Sequence, residues 1–113
     1  FYCLCGEKKC VRNKNKKKEM IGNIWKASEY EDLERLKYFV EVEEIDVNIK
    51  NLDWSGYSSL HYACENGHFT IIQYLINHGA NINIIDDNGK TPLHFACCEI
   101  NVNIVRYLIE NGA

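Results

Sequence analysis

Four histidines and six cysteines set the chemical possibilities of this 113-residue chain. A histidine beside a thiol or hydroxyl and an acid would make an activated nucleophile, and four well-spaced Cys and His residues would make a closed zinc site. The order of residues offers neither. No serine or cysteine stands with a histidine and an acid in a recognisable nucleophile arrangement. Cys64 and His68 form an i,i+4 pair, which is one pair where a structural zinc needs four ligands. GNIWKAS, at residues 22–28, lacks the spacing and the Gly-Lys-Ser ending of a phosphate-cradling loop. No catalytic residue, metal ligand set or cofactor is therefore assigned.

The opening CLCGEKKC is the loose thread. Cys3, Cys5 and Cys10 are either a linker, three ligands of a zinc site completed elsewhere, or acylated cysteines beside a polybasic run. The last reading is the one route by which this chain would meet a membrane, since no apolar run approaches the length of a span. FYCLCGEKKC is too short and too broken for a signal peptide, and both ends of the chain read as cut.

Charge divides the chain further. The net charge is −3, but residues 7–18 carry seven bases against Glu7, and residues 29–46 carry eight acids against Arg35 and Lys37. The basic stretch has no interleaved aromatics and adjoins an acidic domain, which disfavours nucleic acid as a partner. Residues 1–20 therefore read as a basic, Cys-containing lead-in of unknown fold. The cysteine spacing suggests no disulfide framework, and an intracellular, cytoplasmic setting is expected.

The elements that must position these groups come from a 33-residue period. Shifted by 33, Asp53 falls on Asp86, Gly56 on Gly89, Ser58 on Thr91, and Leu60-His61 on Leu93-His94. Ala63 falls on Ala96, Cys64 on Cys97, Tyr74-Leu75-Ile76 on Tyr107-Leu108-Ile109, and Gly79-Ala80 on Gly112-Ala113. Each unit starts at a turn (DWSG or DDNG), and Ser58 or Thr91 is placed to cap a first helix over 59–66 or 92–99. Pro92 suits a first helical position. Leu60 with Ala63, and Leu93 with Ala96, are its buried residues. FTIIQYLINHG supplies a second helix with Ile71, Ile72, Leu75 and Ile76 on one face, closed by Gly79 in a left-handed conformation. Two short helices cannot bury that surface alone, so neighbouring units must stack into an all-α repeat solenoid.

DxxGxTPLHxA with LIxxGA downstream, at this period, resembles the ankyrin repeat family. The resemblance implies helix-turn-helix pairs joined by β-hairpin-like loops across 21–113: a degenerate repeat at 21–52, a full repeat at 53–85 and a nearly complete one at 86–113. In the first repeat Ile24 and Ala27 replace the leucine and alanine, and Leu33, Leu36, Phe39 and Val40 form the second-helix face. The sequence departs from the pattern at Ser59, which replaces proline, and at Ile100-Asn101, which replaces the Gly67-His68 turn. The finger from Asn48 to Gly56 is also two residues longer than that from Asn83 to Gly89. The closing GA would leave an apolar edge that wants a neighbour.

The resemblance makes His61 and His94 structural, bracing the loops; an imidazole copied every 33 residues is in any case a poor way to build one site. It further implies a protein partner met at the finger tips and the inner face of the first helices, and it makes Asn48 or Asn83 a target for hydroxylation. Carried onto this sequence, the expected contacts are Lys50, Leu52, Trp54, Tyr57, Tyr62, Glu65 and Asn66, then Asp87, Asn88, Lys90, Phe95 and Glu99. Trp54 either serves as an anchor or folds back to plug the longer finger. The partner is another protein or another domain of the same chain. The alternatives are a regulatory or spacer domain of a larger enzyme, and a zinc-binding or membrane-anchored N-terminal element on a structural stack.

Overall fold

The computed structural model describes residues 24–98 and 101–113. The expectations for Cys3, Cys5 and Cys10, for the lead-in at 1–20, and for Glu99 lie outside these residues. Among the described residues, six helices and one short hairpin follow in chain order. Helix α1 covers 24–29, and α2, Leu33–Lys37, runs into a π-helical turn at Tyr38–Val42. Strands β1, Lys50–Asn51, and β2, Tyr57–Ser58, pair antiparallel with Lys50 opposite Ser58 and Asn51 opposite Tyr57. Then come α3, Ser59–Asn66, α4, Phe69–Asn77, α5, Pro92–Cys98, and α6, Val102–Glu110.

Helices of five to nine residues are too short to persist alone in water. Stacking supplies the missing stability. Leu60, Ala63, Ile71, Ile72, Leu75, Ala96, Ile104 and Leu108 share one core with Ile24, Ala27, Leu36 and Phe39, and Leu93 packs against it half-buried. Each fully buried leucine or isoleucine in that seam contributes roughly 1.5–3 kcal/mol. Cys64 is buried in the core, whereas its repeat equivalent Cys97 is exposed. Helix α5 packs against α3.

The same backbone bonds recur in all three repeats. Between paired helices, Asp32, His68 and Asn101 donate their N–H to the carbonyls of Ala27, Ala63 and Ala96. Asn101 manages this without the Gly67 turn of the middle repeat, and its side chain then caps α6 by accepting the Ile104 N–H. After the second helices, Ala80 donates to Leu75 and Ala113 to Leu108, five residues back, but Ile45 donates to Phe39, six back. The π-helical turn is the residue absorbed there: the first repeat has one more residue in this helix than the others. The first repeat also lacks both glycines of this segment. Glu31 and Glu44, with φ of 60° and 54°, stand where Gly67 and Gly79, with φ of 73° and 93°, stand in the middle repeat.

Candidate interaction surface

Finger 1 is the hairpin of β1 and β2 with its tip at 52–56; finger 2 is the turn from Asp86 to Lys90. In finger 2 the Asp86 carboxylate accepts the N–H groups of Asn88 and Lys90, both at 2.9 Å, and the Asp86 N–H meets the Lys90 carbonyl. In finger 1 the corresponding anchor is Asn51. Its side-chain oxygen takes the Asp53 N–H, and its carbonyl takes those of Trp54 and Gly56. The 33-residue overlay put Asp53 on Asp86. The structure corrects this to Asn51 on Asp86, because the two extra residues lie beyond position 51, within Leu52–Ser55.

Those extra residues carry two of the exposed large apolar side chains, others being Tyr30, Val42 and Val102. Leu52 is 79% and Trp54 61% exposed, so the indole stands out rather than plugging the finger. The tip is nonetheless firmly held. Asp87 of finger 2 donates its N–H to the Ser55 carbonyl at 2.9 Å, and Ser55 keeps a φ of 56°. Gly56 packs so closely that a Cβ there would lie 2.5 Å from the Asp87 carboxylate, and its φ of 68° favours glycine for a second reason.

Tyr57 behaves differently from its neighbours at the tip. It is half-buried, with its ring centroid 5.3 Å from that of Tyr62, 5.0 Å from Phe95 and 5.7 Å from His61. Tyr62 and Phe95 are in turn only 6% and 8% exposed. The expectation that these three stand open on the inner face is therefore corrected: the Tyr57 ring lies across them and ties β2 to α3 and α5. Asn51 also donates to the Tyr62 hydroxyl at 3.0 Å. Burial raises the pKa of both tyrosines, with nearby Glu65 adding to the effect. What remains outward on the inner side is Glu65 and Asn66 at the end of α3, Cys98 at the end of α5, and Asp87, Asn88 and Lys90 on finger 2, with Lys50 half-exposed at the base of finger 1.

His61 is fully buried, and both ring nitrogens are engaged. Nδ1 accepts the Ser58 N–H at 3.0 Å, so Nε2 carries the proton and donates to the Lys90 carbonyl at 2.9 Å. The Ser58 hydroxyl accepts the His61 N–H in return, which completes a capping box on α3. This imidazole joins one repeat's helix start to the next repeat's finger. His94 repeats the local half of the arrangement, accepting the Thr91 N–H at 2.9 Å, on an exposed residue. The Thr91 hydroxyl approaches the His94 ring. The other two histidines face the first repeat: His68 Nε2 meets the Glu29 carbonyl at 2.7 Å, and His78 stacks on Tyr74, whose hydroxyl donates to Glu41 at 2.6 Å.

Asn48 and Asn83 brace the finger bases. Asn48 donates to the Gly79 carbonyl at 3.1 Å and accepts the Asn81 N–H, and Asn83 donates to the Gly112 carbonyl at 3.4 Å. Among the described residues no three His, Cys, Asp or Glu side chains gather as metal ligands, and no helix is long and apolar enough to cross a membrane.

A family model described as ankyrin repeats, in three copies, matches residues 24–113. The chain is similar to ankyrin repeat domain-containing protein 39 of Homo sapiens, 39% identical over 57 residues, covering 50% of this chain and 30% of that protein. It is similar also to alpha-latrotoxin-Lh1a of Latrodectus hasselti, 38% identical over 61 residues, covering 54% of this chain and 4% of the toxin. The chain thus spans less than a third of the length of either relative.

Proposed function

Because the chain belongs to the ankyrin repeat family, whose units generally serve as protein–protein interaction modules, we propose that this domain binds a partner through finger 1, finger 2 and the outward ends of the inner helices. The observation that carries this reading is the exposure of Leu52 and Trp54 on a firmly held tip. Large aromatic side chains of this kind are favoured interface anchors. His61 and the inner aromatics serve the stack, so recognition falls to the positions the stack leaves open. Lys90, Asp87, Glu65 and Asn66 supply a polar rim, which orients a partner more than it tightens it.

The partner is another protein or another domain of the same chain. A reducing, intracellular compartment fits the unpaired thiols of Cys64, Cys97 and Cys98. The test is affinity capture with the full-length protein against its Leu52→Ala/Trp54→Ala variant. The variant should retain the helical circular dichroism and unfolding midpoint of the parent and bind at least tenfold more weakly. Unchanged affinity in a folded variant refutes the anchor.

A further inference from the structure

We infer that finger 1 inserts into an apolar cleft of a folded partner protein whose mouth carries lysine or arginine. This rests on the interaction reading above and deepens it.

The first ground is shape. Leu52 and Trp54 project from the insertion that distinguishes finger 1 from finger 2, so the apolar surface is a knob rather than a groove. A tryptophan side chain has about 150–250 Å² to bury, and a convex tip buries it only in a concave site. An extended peptide lying along the tip would leave much of both side chains wet.

The second ground is rigidity. The Asn51 carbonyl holds the Trp54 and Gly56 N–H groups, the Asn51 side chain holds that of Asp53, and Asp87 reaches across from finger 2 to the Ser55 carbonyl. Ser55 stays at a φ of 56°, a conformation that costs a non-glycine residue and persists only where its surroundings fix it. A tip fixed before binding loses little conformational freedom on entering a site.

Charge supplies the third ground. Asp53 lies between the two apolar residues, and Asp87 sits against Gly56, while Lys50 and the exposed Lys90 lie at the finger bases. Taking the Asp53 carboxylate into a cleft without a counter-charge is costly, so the receiving mouth has to be cationic.

The experiment uses the full-length protein carrying a photo-crosslinking residue, as Leu52→p-benzoylphenylalanine or, separately, Asn66→p-benzoylphenylalanine, irradiated in its native cell and mapped by mass spectrometry. The expected result is a crosslink from position 52 to a residue lining an apolar cleft of a folded domain with Lys or Arg at its mouth. With that partner purified, Asp53→Lys should weaken binding at least tenfold, and Asp53→Asn about threefold. A crosslink from position 52 into a segment that is unfolded in isolation, or into residues 1–20 of the same chain, overturns the insertion. So does an Asp53→Lys variant with unaltered affinity. Crosslinking from 66 but not 52 overturns the insertion and leaves the interaction reading standing, whereas crosslinking from neither position refutes that reading itself.

Discussion

His61 and His94 occupy one place in consecutive repeats, and replacing each with alanine tests whether the imidazole braces the stack or only its own helix. His61→Ala removes the acceptor of the Ser58 N–H and the donor to the Lys90 carbonyl. Each bond is worth about 1 kcal/mol net, and the stranded Ser58 N–H adds about 1 kcal/mol more. Lost ring contact with Phe95, at 5.1 Å, contributes roughly 0.5–1 kcal/mol. The sum is roughly 3–4 kcal/mol, a large share of the stability of so small a domain. His94→Ala loses one local bond in an exposed setting where water can replace it, for roughly 0.5–1 kcal/mol. Urea unfolding of the 113-residue chain at pH 7.5, followed by circular dichroism, should place the His61→Ala midpoint about 2 M below that of His94→Ala. Midpoints within about 0.5 M of each other refute the cross-repeat brace. A pH series adds a second check. Burial is the main cause that lowers the His61 pKa, against the raising influence of the Lys90 carbonyl and Asp86. A lowered folded pKa means the unfolded chain takes up the proton first. The stability due to neutral His61 is therefore complete above the ordinary value of about 6.5 and is lost as pH falls below it, through the lower folded value. The gap between wild type and His61→Ala should narrow over that window.

Three further outcomes follow from the same geometry. Glu44→Gly relieves a left-handed non-glycine residue at the position Gly79 fills in the next repeat, and should raise stability by about 0.5–1 kcal/mol in urea unfolding. Gly56→Ala brings a Cβ against the Asp87 carboxylate at a φ of 68°, and should cost about 1–3 kcal/mol with faster hydrogen exchange at the Asp87 amide. Burial pushes the Cys64 thiol up to about 12, so iodoacetamide at pH 8 should alkylate the exposed Cys97 and Cys98 in the native protein and reach Cys64 only in urea, as read by peptide mapping.

The stack was legible in the sequence because Leu60, Ala63, Ile71 and Leu75 repeat with their neighbours and have no burial without a second unit. The histidine role was legible too, since a copied imidazole next to a capping serine or threonine implies a repeated local bond. Finger detail was not. Both the 33- and the 35-residue register align an Asp53 or Asn51 with Asp86, and only the backbone bonds of Asn51 choose between them. The inward lean of Tyr57 depends on the Tyr62 and Phe95 rings, which come from a different helix and a different repeat. The π-helical turn was hidden because one added residue leaves the apolar spacing of Leu36 and Phe39 intact and shows only where the chain leaves the helix.

The asparagine bracket has a consequence for how this molecule can change. Asn48 reaches Gly79 over 31 positions and Asn83 reaches Gly112 over 29, yet the two links are the same bond. The difference of two is the lengthened tip, looped out between identical fastenings. Residues can thus be added or trimmed beyond Asn51 without disturbing the clasp beneath, and the reach of the protruding loop is adjustable separately from the cohesion of the array that bears it.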